Sequence, residues 1–216
     1  KRLKNYPDPL DIVRTYGADA LRLFLLGSPV VRAEDLKFSE DGIREVMRGV
    51  MLPLWNSFSF FTTYANVDNW TPAPDGKCPE KLSNPLDRWI LSSLADMVEE
   101  VRIAMDGFQL QKAANRFEQF AEDLTNWYIR RSRRRFWKSQ NDGDKNDAYA
   151  TLYYALITFV KCAAPFIPFV TEEIYRSLRT ESMPESVHLC DYPEAEIWRR
   201  DAVLEKQMTA TRTAVS

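Results

Sequence analysis

Six cations fall within nine residues at Arg130, Arg131, Arg133, Arg134, Arg135 and Lys138, with no acid among them. Trp127, Tyr128, Phe136 and Trp137 lie beside or between them. A guanidinium is a planar fork of N–H donors that matches a phosphate, and it or an aromatic face can stack on an unpaired base. The pattern therefore suits a polyanion with exposed bases. Phosphate contacts would position such a partner, and a few base contacts would specify it. Whole-chain charge gives no such hint, since 29 Lys and Arg oppose 31 Asp and Glu for a net of −2. Setting the six aside leaves 23 bases against the same acids. One concentrated positive patch thus sits on an acidic body, which localises an anionic partner rather than coating the surface. The plainer reading is a solvated helix end, where cations complement the macrodipole.

Other chemistry is harder to build. Lys1, Arg2 and Lys4 form a second basic stretch that could hold a polyphosphate, or could be a frayed charged terminus. His188 is the only histidine, too little for a zinc site or a Ser/His/Asp triad. Cys78, Cys162 and Cys190 form no CxxC pair, and their odd number argues against a disulfide framework and for a reducing cytoplasm. No apolar run approaches the ~20 residues of a membrane span, and no secretory apolar stretch follows the charged start. His188, Cys162, Phe58, Phe60 and Phe61 read as core or surface residues rather than ligands.

The elements that must position the cations are helices. Hydrophobic residues make up 45% of the 216, with only seven glycines, which describes a helix-leaning folded chain. Asp8 and Pro9 predict a helix start, and Gly17 its stop. Asp19 to Leu26 forms a second helix, and Val30 to Phe38 reads as extended. Ser39 caps a third helix with Ile43, Val46, Val50, Leu54, Phe58 and Phe61 at helical spacing, which Pro53 should kink. Residues 67–84, with three prolines, read as a linker. Pro85 opens a helix with Ile90, Leu94, Met97 and Val101 inward, and Leu110 to Tyr128 gives the longest periodic segment. After a turn at Asn141 to Asp144, Ala148 to Ala163 forms a helix. Another carries Val170, Ile174 and Leu178, Val187 to Leu189 reads as a short strand, and a polar helical tail runs on from Trp198. The fold class is an all-α bundle of about seven helices.

At ~100° per residue, Arg131 and Arg135 continue the core stripe of Phe117, Leu124 and Tyr128. Arg130, Arg134 and Lys138 take the adjoining flank, and Arg133 points away. Buried unpaired guanidiniums are costly. The helix must therefore either outrun its bundle or pair Arg131 and Arg135 with acids such as Glu172 or Glu173.

Several stretches resemble one family in order and spacing across almost the whole chain. KRLKNYPDP resembles the second half of the KMSKS signature of class I aminoacyl-tRNA synthetases, in the form typical of eukaryote-like isoleucyl enzymes; valyl and leucyl enzymes usually read KSLGN or KSKGN there. GADALRLFLL, NPLDRWILSSL, LTNWYIRRSRRRFW, APFIPFVTEEIY and SVHLCDYP are similar to the segments that come next in that group. The resemblance implies an all-α anticodon-binding bundle, with residues 1–38 the end of the signature loop and a stem-contact region. Residues 39–185 would be the bundle, and 186–216 a short strand and helical tail. It makes Lys1 and Arg2 an ATP-binding remnant, with ATP and Mg2+ serving the parent enzyme and none held by this chain. With no HIGH motif or Rossmann core, the chain should not aminoacylate by itself. It implies tRNA(Ile) as partner, a monomer, and Trp127, Arg130, Arg131, Arg134 and Lys138 as tRNA contacts, with Arg133 and Arg135 in reserve. Two alternatives stay open: the same region of a valyl or leucyl enzyme, or a helical scaffold that docks a protein through exposed aromatics and acidic faces.

Overall fold

The computed structural model describes residues 8–138 and 142–215. Asp8 caps α1 (Pro9–Tyr16) by accepting the Leu10 N–H at 2.9 Å. Gly17, at φ 86, turns the chain directly into α2 (Ala18–Leu26), a conformation that costs glycine little. The segment from Val30 to Phe38, expected to be extended, instead opens on a helical turn. Pro29–Arg32 is a 3-10 turn, closed by the Ala33 N–H on the Val30 carbonyl at 3.0 Å. The physical reason is pairing: among the described residues there is no strand to receive an extended backbone's hydrogen bonds.

Ser39 caps α3 (Glu40–Val46), its hydroxyl oxygen accepting the Gly42 N–H at 3.2 Å. A π turn at Met47–Met51 joins α3 to α4 (Leu52–Asp68). This is where Pro53 was expected to kink the helix. Proline has no N–H to give, and its ring crowds the carbonyl four residues back. The wider turn, in which the Leu52 N–H reaches the Met47 carbonyl five residues back, absorbs that conflict.

Helix α4 runs two residues into the expected linker. After it, Asn84 caps α5 (Pro85–Asp106) through the Leu86 N–H at 3.0 Å. Next come α6 (Leu110–Glu122), a second π turn at Asp123–Ile129, and α7 (Arg130–Trp137) without a break. The next helix, α8 (Gly143–Ala163), starts five residues earlier than expected because Asp142 caps it, accepting the Lys145 N–H at 2.8 Å. Helix α9 (Pro168–Leu178) is capped from far along the chain. The Asp19 carboxylate on α2 accepts the Phe169 and Val170 N–H groups at 3.1 and 2.7 Å. Val187–Leu189 is a 3-10 turn and not the expected short strand, again for want of a partner. A further 3-10 turn, Ile197–Arg199, leads to α10 (Ala202–Val215).

The main core gathers the inward faces of α5, α6 and α8, with Ile90, Met97, Val101, Phe117, Phe120, Leu124, Leu152, Leu156 and Phe159 fully or almost fully buried. A small second cluster of Ile12, Ala20 and Ile43 joins α1, α2 and α3. The tail helix is docked on α5: the Asp201 N–H reaches Ser92 Oγ at 2.8 Å, Ser92 Oγ donates to Glu205, and Arg200 pairs with Asp96 at 2.6 Å. The expected all-α bundle is what forms, and it sets one long rod, residues 110–137, against that core.

Candidate nucleic-acid interface

The π turn decides which guanidiniums face solvent. Continued as a plain α-helix from Phe117, Leu124 and Tyr128, the rod would turn both Arg131 and Arg135 inward. The extra residue of the wide turn rotates the residues beyond it, so Ile129, Ser132, Arg135 and Phe136 are buried and Arg131 is exposed. The sequence reading of two inward arginines is corrected to one. Its partners are also not Glu172 or Glu173 but Asp87 and Asp144, while Glu172 accepts from the Ser186 hydroxyl and the Val187 N–H.

Arg135 instead clasps Asp87, the third residue of α5. Its Nη1 and Nη2 each donate to one carboxylate oxygen at 2.6 Å, and Nη2 also reaches the Asp144 carbonyl and carboxylate at 2.8 Å. Tyr128 donates its hydroxyl to the same Asp87 oxygen that Nη1 uses, at 2.7 Å. Asp87 is 0% exposed. Burial works to lower the Arg135 pKa, but its bonds to Asp87 outweigh that and raise it, keeping the charge in place. Burial pushes the Tyr128 phenol well up, so it stays a donor.

Nearby acids are consumed in the same way. Asp144 and Asp142 hold Lys138 at 3.3 and 3.4 Å, and Lys145, itself buried, pairs with Asp68 at 2.6 Å. Burial tends to raise the Asp144 carboxyl, yet hydrogen bonds from Arg135 and Asn84 hold it below the usual carboxylate value. Lys138, raised by its bond to Asp144, is therefore not a free cation.

What remains outward is Arg130, Arg131, Arg133 and Arg134. Among the described residues none of the four forms an ion pair or a side-chain hydrogen bond. Arg130 and Arg133 line a cleft of about 520 Å3 between the rod and the start of α4. Arg48, from the first π turn, also lines it, together with Asn56 from α4, Asn126 from the rod and the apolar Pro53, Phe60 and Ile129. The cleft offers three guanidiniums for phosphate, two amides for polar edges and an apolar surface.

Trp127 is half-buried, and the guanidiniums of Arg131 and Arg212 lie over its ring at 5.3 and 5.1 Å, so it already serves as a cation–π platform. Trp137 is the more open aromatic at 56% exposure, anchored by its Nε1 donating to the Tyr64 hydroxyl at 2.7 Å. Of the expected contacts, Arg130, Arg131 and Arg134 are brought together with the reserve Arg133, while Lys138 is tied down and Arg135 is internal. Arg48 was missed: it lies eighty-two residues before Arg130 in a segment of ordinary composition, and no local spacing links the two. Lys1 and Arg2 lie outside the described residues. The described residues hold no group of three or more His, Cys, Asp or Glu side chains able to bind a metal ion.

The described residues thus form an all-α helical module with four guanidiniums outward at one end of a long rod. Residues 87–216 match the family described as the anticodon-binding domain of tRNA ligase, and this chain belongs to that family. Residues 1–37 match the family of class I tRNA synthetases (I, L, M and V). Over the full chain it is 49% identical to the isoleucine–tRNA ligase of Protochlamydia amoebophila and 49% identical to that of Treponema denticola. It spans about a fifth (20%) of the length of each. In fold it is similar to the LeuRS of Agrobacterium radiobacter, solved in a ternary complex with tRNA and LeuAMS. The TM-score is 0.68 at 20% identity, over 94% of this chain and 22% of that one.

Proposed function

We propose that this chain is the tRNA-holding part of an isoleucine–tRNA ligase, with tRNA(Ile) as its partner. Residues 1–38 would be the end of the ATP-signature loop and the stem-contact region, 39–185 the anticodon-recognition bundle, and 186–216 its docked tail. ATP and Mg2+ serve adenylate formation in the complete enzyme, with Lys1 and Arg2 on the ATP side. The setting is a reducing cytoplasm and the working unit a single copy; among the described residues no helix is long and apolar enough to cross a membrane.

One observation carries the reading: among the described residues Arg130, Arg131, Arg133 and Arg134 stand without carboxylate partners on an acidic chain, while Arg135, Lys138 and Lys145 take up the acids nearby. Anticodon-loop bases are unstacked and open to edge contacts, and their phosphates suit guanidinium forks. The cleft beside Arg48 would receive backbone and base together. The identities to isoleucine–tRNA ligases favour that amino acid over leucine or valine.

Fluorescence anisotropy of labelled tRNA(Ile), titrated with the chain at several salt concentrations, tests this. Log affinity should fall with log salt by about 0.7–0.9 per phosphate neutralised, so three or four contacts give a slope near −3. The double variant Arg130→Glu/Arg134→Glu should bind at least ~100-fold more weakly while folding normally. A folded double variant with wild-type affinity, or binding indifferent to salt, would sink the assignment and favour a protein-docking role.

A further inference from the structure

Arg135 is the arginine of the run that the fold turns inward, onto Asp87 and Asp144. A plain helix and the observed π turn would set the rod from α6 through α7 in different registers. A plain α-helix would bury Arg131 with Arg135; the observed one buries Ser132 and Phe136 beside Arg135. Arg135 points inward in both, but the π turn rotates the residues around it, so the register decides whether Arg131 reaches the surface.

Packing supports the observed choice through Phe136, which sits edge-on against Phe60 and Tyr149, while Ser132 is small and its buried hydroxyl has no hydrogen-bond partner. The Asp87 clasp is directional. It draws on three elements at once: Asp87 from α5, Tyr128 from the π turn and Asp144 from the start of α8. Buried ion pairs add little net stability over apolar packing, and fixing a register is their best-attested use.

We propose that the Asp87–Arg135 pair, with Tyr128 bracing it, is a positioning device for RNA binding. It holds α7 in the register that presents Arg130, Arg131, Arg133 and Arg134 outward together, without touching the RNA itself. This inference rests on the RNA-holding reading. If a fraction of molecules leaves the competent register, apparent affinity falls by that fraction while the bound complex is unchanged.

The test compares Asp87→Asn and Arg135→Lys with Arg134→Gln as a direct-contact control, all in the full chain. Hydrogen–deuterium exchange without RNA should show lost protection across residues 130–137 in both clasp variants, with α9 unchanged. tRNA(Ile) affinity should fall about tenfold in each with the salt slope unaltered, whereas Arg134→Gln should flatten the slope by about 0.7–0.9. A purely structural pair would leave folded variants with wild-type affinity, and that result overturns the proposal. So does a flattened slope in Arg135→Lys, which would make Arg135 a phosphate contact. If Asp87→Asn fails to fold, Arg135→Lys, which keeps the charge and loses the fork, decides alone. Because exchange is read without RNA, unchanged protection refutes the clasp, while lost protection in a wild-type background that binds no tRNA refutes only the RNA reading.

Discussion

Arg131 and Arg135 carry the same side chain four residues apart, yet one lies over Trp127 at the surface and the other is locked on a fully buried carboxylate. Their replacements should differ accordingly. Arg135→Ala strands the Asp87 charge and should cost about 3–5 kcal/mol in urea unfolding, whereas Arg131→Ala should stay within about 0.5 kcal/mol. Acid should act on the same region. Asp142 is held below its ordinary pKa chiefly by the Lys145 backbone N–H. Asp68 is lowered because hydrogen bonds from Lys145 and Tyr149 outweigh the opposing effect of burial. Together with Asp144, these groups have folded-state pKa values below their unfolded ones, so the unfolded chain binds more protons in the acid range. Their stabilisation is present above the unfolded value of about 3.9 and is lost as pH falls through it toward the lower folded values. Thermal melts should therefore show little change between pH 7 and 5 from these groups and a falling midpoint from about pH 4 downward.

At the scale of elements, two π turns do work that a plain helix could not. The first lets α3 and α4 run on past Pro53 and leaves Arg48 facing the cleft. The second removes Arg131 from the core. Long-range capping matters as much: Asp19 satisfies the first amides of α9, and Arg22 on the same helix reaches the Pro165 carbonyl through Nη2 at 2.9 Å. These bonds fasten α2 to the bundle. Asp19→Ala should destabilise the chain by about 1–2 kcal/mol in denaturant unfolding, through loss of a charged cap at a helix N-terminus. Asp19→Asn, which keeps an acceptor, should recover much of that.

At the scale of the molecule, burial decides cysteine chemistry. Burial pushes the Cys78 and Cys162 thiols up to about 12, while Cys190 is half-exposed beside the Tyr175 hydroxyl. A thiol reagent at pH 8 should modify at most Cys190 in the native chain and all three cysteines in denaturant, because the thiolate is the reactive form. The acid–base layout shows the same global logic. Acids from α4, α5 and the start of α8 converge on Arg135, Lys138 and Lys145, and among the described residues none pairs with the other four arginines.

The helices, their caps at Asp8 and Ser39 and the stop at Gly17 were legible because each depends on residues within one turn of itself. The cationic run was legible for the same reason, since six bases in nine residues need no folding to be seen. Hidden features depend on groups distant in the chain or on one residue of helical phase. Arg48 joins the cleft across the bundle, Asp87 meets Arg135 from forty-eight positions away, and each π turn changes phase in a way that periodicity counted at 3.6 cannot register. Sequence alone thus determined the helical class and the presence of a concentrated cationic segment, because propensity and local charge are short-range properties. Tertiary structure alone decided which arginines face outward, because that choice depends on where the buried carboxylates are brought when the helices pack.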